Sequence, residues 1–231
     1  GDWPKGELQQ KKMIEINHHF SFFHPITQIL VEFHWRLNKY MPISHFDYAN
    51  QLSQHFTEIS INQRKFVVFK EEYELLYLII HGSFHAWFRL KWLIDILHYP
   101  TKNIEKALFA QLIKANKLEN PYLLTSKLLQ IYFEADRFEI KNKKVSKTLI
   151  GFIQKQINDK DEFDADALTT KQIMEFQLYR TRLIHSSSWR SEINKIFLIR
   201  PEDLVKYNFN YPGLYYLVRP FSYVLRRVIN K

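Results

Sequence analysis

The sequence predicts an α+β protein, with a short N-terminal antiparallel β-element followed by a mainly helical array. Near the N-terminus, apolar and polar residues alternate, which is the period of a strand. From about residue 44 onward, apolar residues recur with the period of an amphipathic helix. The composition is 46% hydrophobic and 16% aromatic, which favours a well-filled core over disorder.

Two strands are predicted in the first 37 residues. Met13–Phe23 alternates weakly, and Ile29–Leu37 alternates clearly, with Phe33 on one face and Glu32 and His34 on the other. The segment HPITQ joins the two runs, so we expect an antiparallel pair.

Helices are predicted over most of the remaining chain. Ser44 is a candidate N-cap for the first helix, and Lys65–Phe69 is a short extended piece. A long helix should run from about Glu71 to about His98 and end before Pro100. The other predicted helices are Ile104–Asn116, Pro121–Glu134, Ser146–Asn158, Leu168–Arg190, a short one opened by Pro201 and a last one after Pro212, with an acidic loop at 159–166.

The composition excludes several kinds of site. There is no cysteine, so disulfides, thiolate zinc sites and cysteine nucleophiles are ruled out. The five glycines form no phosphate-binding loop. The net charge of +9 suits phosphate-rich partners, but the basic residues are spread along the chain, so nucleic-acid binding is not the favoured interpretation. A polar first stretch and short apolar runs predict a cytoplasmic protein without a signal peptide or membrane partner.

The densest polar grouping is the segment HGSFHAWFRLKWLID, residues 81–95. On one continuous helix it would place five functional side chains on a single face: His81, His85, Arg89, Trp92 and Asp95. Such a face can hold an anionic ligand through Arg89 and stack a base on Trp92. The alternative is a polar network that only fixes helix packing.

A second grouping lies on the second predicted strand. Glu32 and His34 project from the same face, and a carboxylate beside a histidine can bind a metal or act as a base. The alternative is an exposed strand face with ordinary charges. His18, His19 and His24 lie on or near the partner strand, so a histidine cluster for a transition metal is a further interpretation.

Three segments of the chain resemble a bacterial family of uncharacterised nucleotidyltransferases in the polymerase-β-like superfamily. They are VEFHWRL (31–37), LLYLIIHGSFHAWFRLKWLIDI (75–96) and GLYYLVRPFSYVLRR (213–227). The resemblance covers about Met13 to the end, which corresponds to the C-terminal two-thirds of such a protein. It implies that residues 1–37 complete a nucleotidyltransferase-like sheet and that residues 38–231 form a helical domain.

The resemblance also implies a site. Glu32 matches the third carboxylate of the family's metal centre, and with its neighbour His34 it is the candidate catalytic group. The side chains that would line the cleft and bind substrate are His81, His85, Arg89, Trp92 and Asp95. The intact enzyme would use Mg²⁺, a nucleoside triphosphate and an acceptor of unknown identity.

The family's Asp-x-Asp pair has no counterpart before Glu32 in this chain. We therefore expect a fragment of a longer enzyme, or a degenerate relative, that is inactive as this chain alone. The alternative function is a non-catalytic helical binding module with an aromatic, basic cleft. A purely structural helical domain is a third hypothesis.

Overall fold

The predicted α+β class is confirmed in the computed structural model of the chain, which contains two antiparallel strand pairs and an array of helices. The structure describes residues 4–35, 55–138, 144–158, 169–184, 211, 213–215 and 217–218. The chain divides into two units. Unit 1 consists of Gly1–Pro42 and Ser187–Lys231, and unit 2 consists of Ile43–Ser186.

Unit 1 begins with a helix, α1, at Glu7–Ile16, followed by β1 at His19–His24 and β2 at Ile29–His34. The prediction of a strand over Met13–Phe23 was therefore wrong for its first six residues, of which the first four belong to α1. The segment ELQQKKMIEI is rich in good helix formers and has Glu7 in the first turn, where the helix dipole favours negative charge. The weak alternation of apolar and polar residues in this segment did not outweigh its preference for a helix.

The predicted antiparallel pairing of the two strands is confirmed, with Ser21 opposite Glu32. Trp35 makes two hydrogen bonds at the open end of this hairpin. Its backbone N–H donates to the His18 carbonyl at 2.9 Å, and its indole Nε1–H donates to the Ile14 carbonyl of α1 at 3.0 Å. Since side chains alternate across a strand, the hairpin has one polar face and one apolar face. The apolar face is largely exposed, with Phe33 at 62%.

The described part of unit 2 begins with a second hairpin, made of β3, Phe56–Ile61, and β4, Arg64–Phe69. The extended piece predicted at Lys65–Phe69 is thus confirmed, whereas β3 was missed because Phe56 had been assigned to a helical stripe. Within the described ranges of unit 2, six helices follow: α2 Glu71–Phe84, α3 Lys91–His98, α4 Lys106–Ala115, α5 Glu119–Phe133, α6 Lys147–Asn158 and α7 Thr170–Leu183. The bounds of the last four helices agree with the predicted bounds to within a few residues, except at the C-terminal end of α7, where the prediction extended to Arg190.

Helix α2 lies at the centre of unit 2 and contacts α3, α4, α5 and β4. Its residues Leu76, Ile79 and Ile80 are completely buried. The buried Glu72 accepts a hydrogen bond at 2.7 Å from the backbone N–H of Glu105, the residue before α4, and so satisfies a donor at that helix start.

The long helix predicted over residues 71–98 was wrong, because the chain reverses between α2 and α3. Ala86 and Trp87 have φ values of 52° and 54°. The Ala86 N–H donates to the Ser83 carbonyl and the Trp87 N–H to the Gly82 carbonyl, at 3.1 and 2.9 Å. This pair of bonds is a Schellman motif, which ends α2 and folds Trp87 back onto it.

Gly82 permits this reversal. A Cβ at Gly82 would lie 2.2 Å from the nearest carbon of the Trp87 ring, and Trp87 is completely buried. Only glycine leaves room for the indole against the helix backbone.

Several predicted elements lie outside the described residues: the helix from Ser44 as far as residue 54, the acidic loop at 159–166, the part of the Leu168–Arg190 helix beyond residue 184 and the helix opened by Pro201. Of the helix predicted after Pro212, residues 213–215 and 217–218 are described and helical. Among the described helices, none is both long and apolar enough to cross a bilayer.

Candidate functional site

The polar face of the β1–β2 hairpin carries Glu32 and His34, as predicted. The strand register adds Ser21 opposite Glu32 and His19 opposite His34. We call these four residues the polar hairpin face. The His34 Nε2–H donates to Glu32 Oε2 at 3.2 Å, the Ser21 hydroxyl donates to Oε1 at 3.4 Å, and His19 Nε2 lies 3.9 Å from Oε1.

Glu32 is held in its anionic form. The hydrogen bond from His34 lowers the pKa of the Glu32 carboxyl below its usual value, and the nearby His19 and the Ser21 hydroxyl lower it further, against the opposing effect of partial burial. The side chain remains 45% exposed, so its oxygens can reach a ligand. Chemically, an accessible carboxylate of this kind can take part in metal binding or accept a proton.

His18 extends the cluster at the open end of the hairpin. Its ring centroid lies 4.2 Å from that of His19 and 5.3 Å from that of His34, and the rings of His19 and His34 stack at 4.9 Å. One ring nitrogen from each of these three residues lies within 4.8 Å of the other two. His24, which the sequence placed near this group, instead hydrogen-bonds Thr27 in the hairpin turn.

The donors around Glu32 do not form a two-magnesium centre by themselves. Such a centre bridges two ions with several carboxylate oxygens, and Mg²⁺ prefers oxygen ligands throughout. Within the described hairpin, Glu32 is the sole carboxylate on the polar face, and its neighbours are two imidazoles and one hydroxyl. These residues alone therefore do not fit a magnesium centre.

The second candidate location is an aromatic cluster in unit 2. It comprises Tyr77, His81, His85, Phe88 and Trp92. The His81 ring centroid lies 4.7 Å from that of His85 and 4.9 Å from that of Trp92, and Phe88 lies 4.9 Å from Trp92. Tyr77 lies 5.6 Å from His81. On one uninterrupted helix, His81 and Trp92 would be about 16 Å apart along the axis. The reversal after α2 therefore brings them together.

Arg89 lies at the edge of this cluster and is exposed. Its guanidinium carbon is 5.4 Å from the Phe88 ring centroid and 6.0 Å from that of Trp92, which is cation–π range. Asp95 is exposed on α3, and no hydrogen bond or ion pair among the described residues involves it. The structure thus brings His81, His85, Arg89 and Trp92 together. Asp95 lies one helical turn after Trp92 on α3.

Helix α7 holds the end of α2 on which the cluster depends. The Tyr179 hydroxyl donates to the Ser83 carbonyl at 2.7 Å, and Arg180 Nε donates to the Phe84 carbonyl at 3.2 Å. The Ser83 carbonyl also accepts from the Ala86 N–H, so it receives two hydrogen bonds. The Phe84 carbonyl lies at the C-terminus of α2, where carbonyls lack partners within the helix and the helix dipole favours a cation. Complete burial raises the pKa of the Tyr179 phenol, which therefore remains a donor.

A family model described as "Uncharacterised nucleotidyltransferase" matches residues 5–134, which is more than half of the 231-residue chain. The chain belongs to this nucleotidyltransferase family. The resemblance to uncharacterised nucleotidyltransferases that was predicted from the sequence is therefore confirmed for the family as a whole. No curated protein and no solved structure matches the chain. The part of the chain matched by the nucleotidyltransferase family contains both the polar hairpin face and the aromatic cluster.

Some members of the two groups were not predicted from the sequence. Ser21 was missed because the strand register had not been assigned, although the turn length between β1 and β2 would have placed it opposite Glu32. Phe88 was missed although a continuous helix would also place it on the face of His81 and His85, because only the other side chains of that face were considered as a ligand site. Tyr77 lies one turn before His81 on α2, and its aromatic character was the available signal.

Proposed function

We propose that this chain is part of an enzyme that transfers a nucleotidyl group from a nucleoside triphosphate to an acceptor, with Mg²⁺ as the metal. The family match over residues 5–134 supports nucleotidyl transfer in general. The observation that supports a role for the hairpin is the accessible, anionic Glu32 between Ser21 and His34.

In this proposal, Glu32 and His34 are the catalytic residues of the chain. Glu32 supplies one carboxylate to the metal centre or accepts a proton from the attacking group, and His34 fixes the carboxylate through its hydrogen bond. When bound, Mg²⁺ would stabilise the charge that develops on the phosphate oxygens. The family's Asp-x-Asp pair has no counterpart before Glu32 in this chain, so the 231-residue chain alone is expected to be inactive.

The test is a transfer assay on the product of the full natural gene. Each of the four nucleoside triphosphates, labelled on the α-phosphate, is incubated with Mg²⁺, the protein and a cell extract that supplies acceptors. The proposal predicts that label moves to an acceptor and that pyrophosphate is released with it. No transfer from any nucleotide, with the folded state of the protein verified, would contradict it.

A second candidate function is ligand binding without turnover, and the aromatic cluster favours it. Trp92 offers a partly buried ring for a base, and Arg89 offers a cation beside it for an anionic group. Nucleotide binding by the 231-residue chain should then survive EDTA and be lost in Arg89→Ala. Arg182→Ala, an exposed arginine on α7, is the matched control and should bind like the unmodified chain. Turnover by the full gene product would exclude this function.

A further inference from the structure

The three imidazoles at the open end of the β1–β2 hairpin form a donor set that includes His34 and adds His18 and His19, which have no role in the proposed nucleotidyl transfer. We propose that His18, His19 and His34, with Glu32 as a fourth ligand, bind one transition-metal cation of the Zn²⁺ class. One ring nitrogen from each histidine lies within 4.8 Å of the others, and Glu32 contacts His34 directly.

The distances are close to those of a tetrahedral centre. Zn²⁺ binds imidazole nitrogen at about 2.0–2.1 Å, so neighbouring ligand atoms in a tetrahedron are about 3.3–3.4 Å apart. His18 Nε2 lies 3.1 Å from His19 Nδ1, and His34 Nε2 lies 3.2 Å from Glu32 Oε2. Two edges of the tetrahedron are therefore nearly formed, and rotation of the side chains can close the remaining gaps.

The backbone holds these ligands in place before any metal binds. His19 and His34 are directly opposite each other in the strand register. His18 precedes β1, and its carbonyl accepts a hydrogen bond from the Trp35 N–H at 2.9 Å, which fixes the open end of the hairpin. A metal then has to order only side-chain rotations, which lowers the entropic cost of binding.

The donor chemistry favours a transition metal over magnesium. Imidazole nitrogen suits Zn²⁺, Co²⁺, Ni²⁺ and Cu²⁺, whereas Mg²⁺ prefers oxygen ligands in an octahedral arrangement. Three nitrogens and one carboxylate match the first group. The inference therefore does not rest on nucleotidyl transfer, and it is tested by metal binding without any substrate.

The test uses the full 231-residue chain, freed of any polyhistidine tag and treated with a chelator. Co²⁺ is added, and the visible ligand-field absorption reports a tetrahedral site with nitrogen ligands. Zn²⁺ should displace Co²⁺ at one ion per chain, and a large excess of Mg²⁺ should not. Isothermal titration with Zn²⁺ gives the affinity.

His34→Ala is the test variant, and His24→Ala is its matched control. Both residues are in the same hairpin, but His24 lies at the turn and alternates onto the opposite face. Loss of a ligand should weaken Zn²⁺ binding by at least about tenfold in His34→Ala, whereas His24→Ala should bind as before.

The unmodified chain provides a check that does not depend on variants folding. On addition of Zn²⁺, the imidazole NMR signals of His18, His19 and His34 should shift, and that of the exposed His98 on α3 should not. The proposal is overturned if Co²⁺ gives no ligand-field absorption. It is also overturned if His24→Ala and His34→Ala weaken binding equally, since that would mark non-specific binding by surface histidines.

Discussion

Replacing Gly82 by alanine tests the chain reversal that assembles the aromatic cluster. The new Cβ would lie 2.2, 2.4 and 2.5 Å from three carbons of the Trp87 ring, whereas carbon atoms in contact are normally about 3.5–4.0 Å apart. The ring must therefore move by more than about 1 Å. Trp87 is completely buried, so the surrounding core cannot yield without loss of packing.

The expected cost follows from these distances. Overpacking a core costs about 1–3 kcal/mol, and expelling a buried indole costs about 3–5 kcal/mol, while alanine recovers about 1 kcal/mol of helix propensity. We expect Gly82→Ala to lower the free energy of unfolding by about 2–4 kcal/mol. Urea denaturation followed by far-UV circular dichroism measures this value.

Gly151→Ala is the matched control for this experiment. Gly151 lies within α6, and a Cβ there would meet no atom within 4 Å. The same substitution should therefore stabilise the protein by about 0.5–1 kcal/mol. In a Trp87→Leu background, the penalty of Gly82→Ala should shrink by at least about 1 kcal/mol, because the clashing ring is absent. If Gly82→Ala is as stable as the unmodified chain, the described reversal is incorrect.

Two further predictions concern the C-terminal ends of α4 and α2. Lys117 has a φ of 54° just after α4, so Lys117→Gly should stabilise the protein by about 1 kcal/mol. Lys114→Gly, three residues earlier within α4, should destabilise the protein by about 0.5–1 kcal/mol. If urea denaturation shows that both glycine variants change the free energy of unfolding in the same direction, this prediction is wrong. Tyr179→Phe removes the bond to the Ser83 carbonyl and should cost about 1 kcal/mol at neutral pH. Burial raises the pKa of Tyr179, so only the unfolded chain releases this proton above a pH of about 10. Stability should therefore fall as the pH rises beyond that value, and less steeply in Tyr179→Phe than in the unmodified chain.

Local sequence patterns correctly predicted those elements whose own conformational preference matches the structure that they adopt in the fold. The alternation over Ile29–Leu37 predicted β2 and its division into a polar and an apolar face, because one-residue alternation fixes which side each residue occupies. The apolar period and flanking breakers predicted α4, α5 and α6 closely. Glu32 and His34 were assigned to one strand face on the same basis, and the structure places them in contact.

The reversal after α2 could not be predicted from local patterns. A positive φ is usual for glycine, and here Ala86 and Trp87 adopt it. Their conformation is stabilised by packing of the indole on Gly82, which is a tertiary effect invisible to helix propensity. Strand β3 was missed for a different reason: Phe56 fitted the spacing of a helical stripe, so the alternation of FTEISI that follows from it was not assigned to a strand.

The most direct test of the proposed function compares two strand glutamates in the product of the full natural gene. Glu32 and Glu58 are both about half exposed, at 45% and 53%, and each is paired with a side chain on a hairpin. Nucleotidyl transfer from the α-labelled triphosphates is measured for Glu32→Gln and Glu58→Gln. We expect Glu32→Gln to lower the rate by about a hundredfold or more and Glu58→Gln to leave it unchanged. Equal rates for the two variants would contradict the assignment of Glu32 to the catalytic centre.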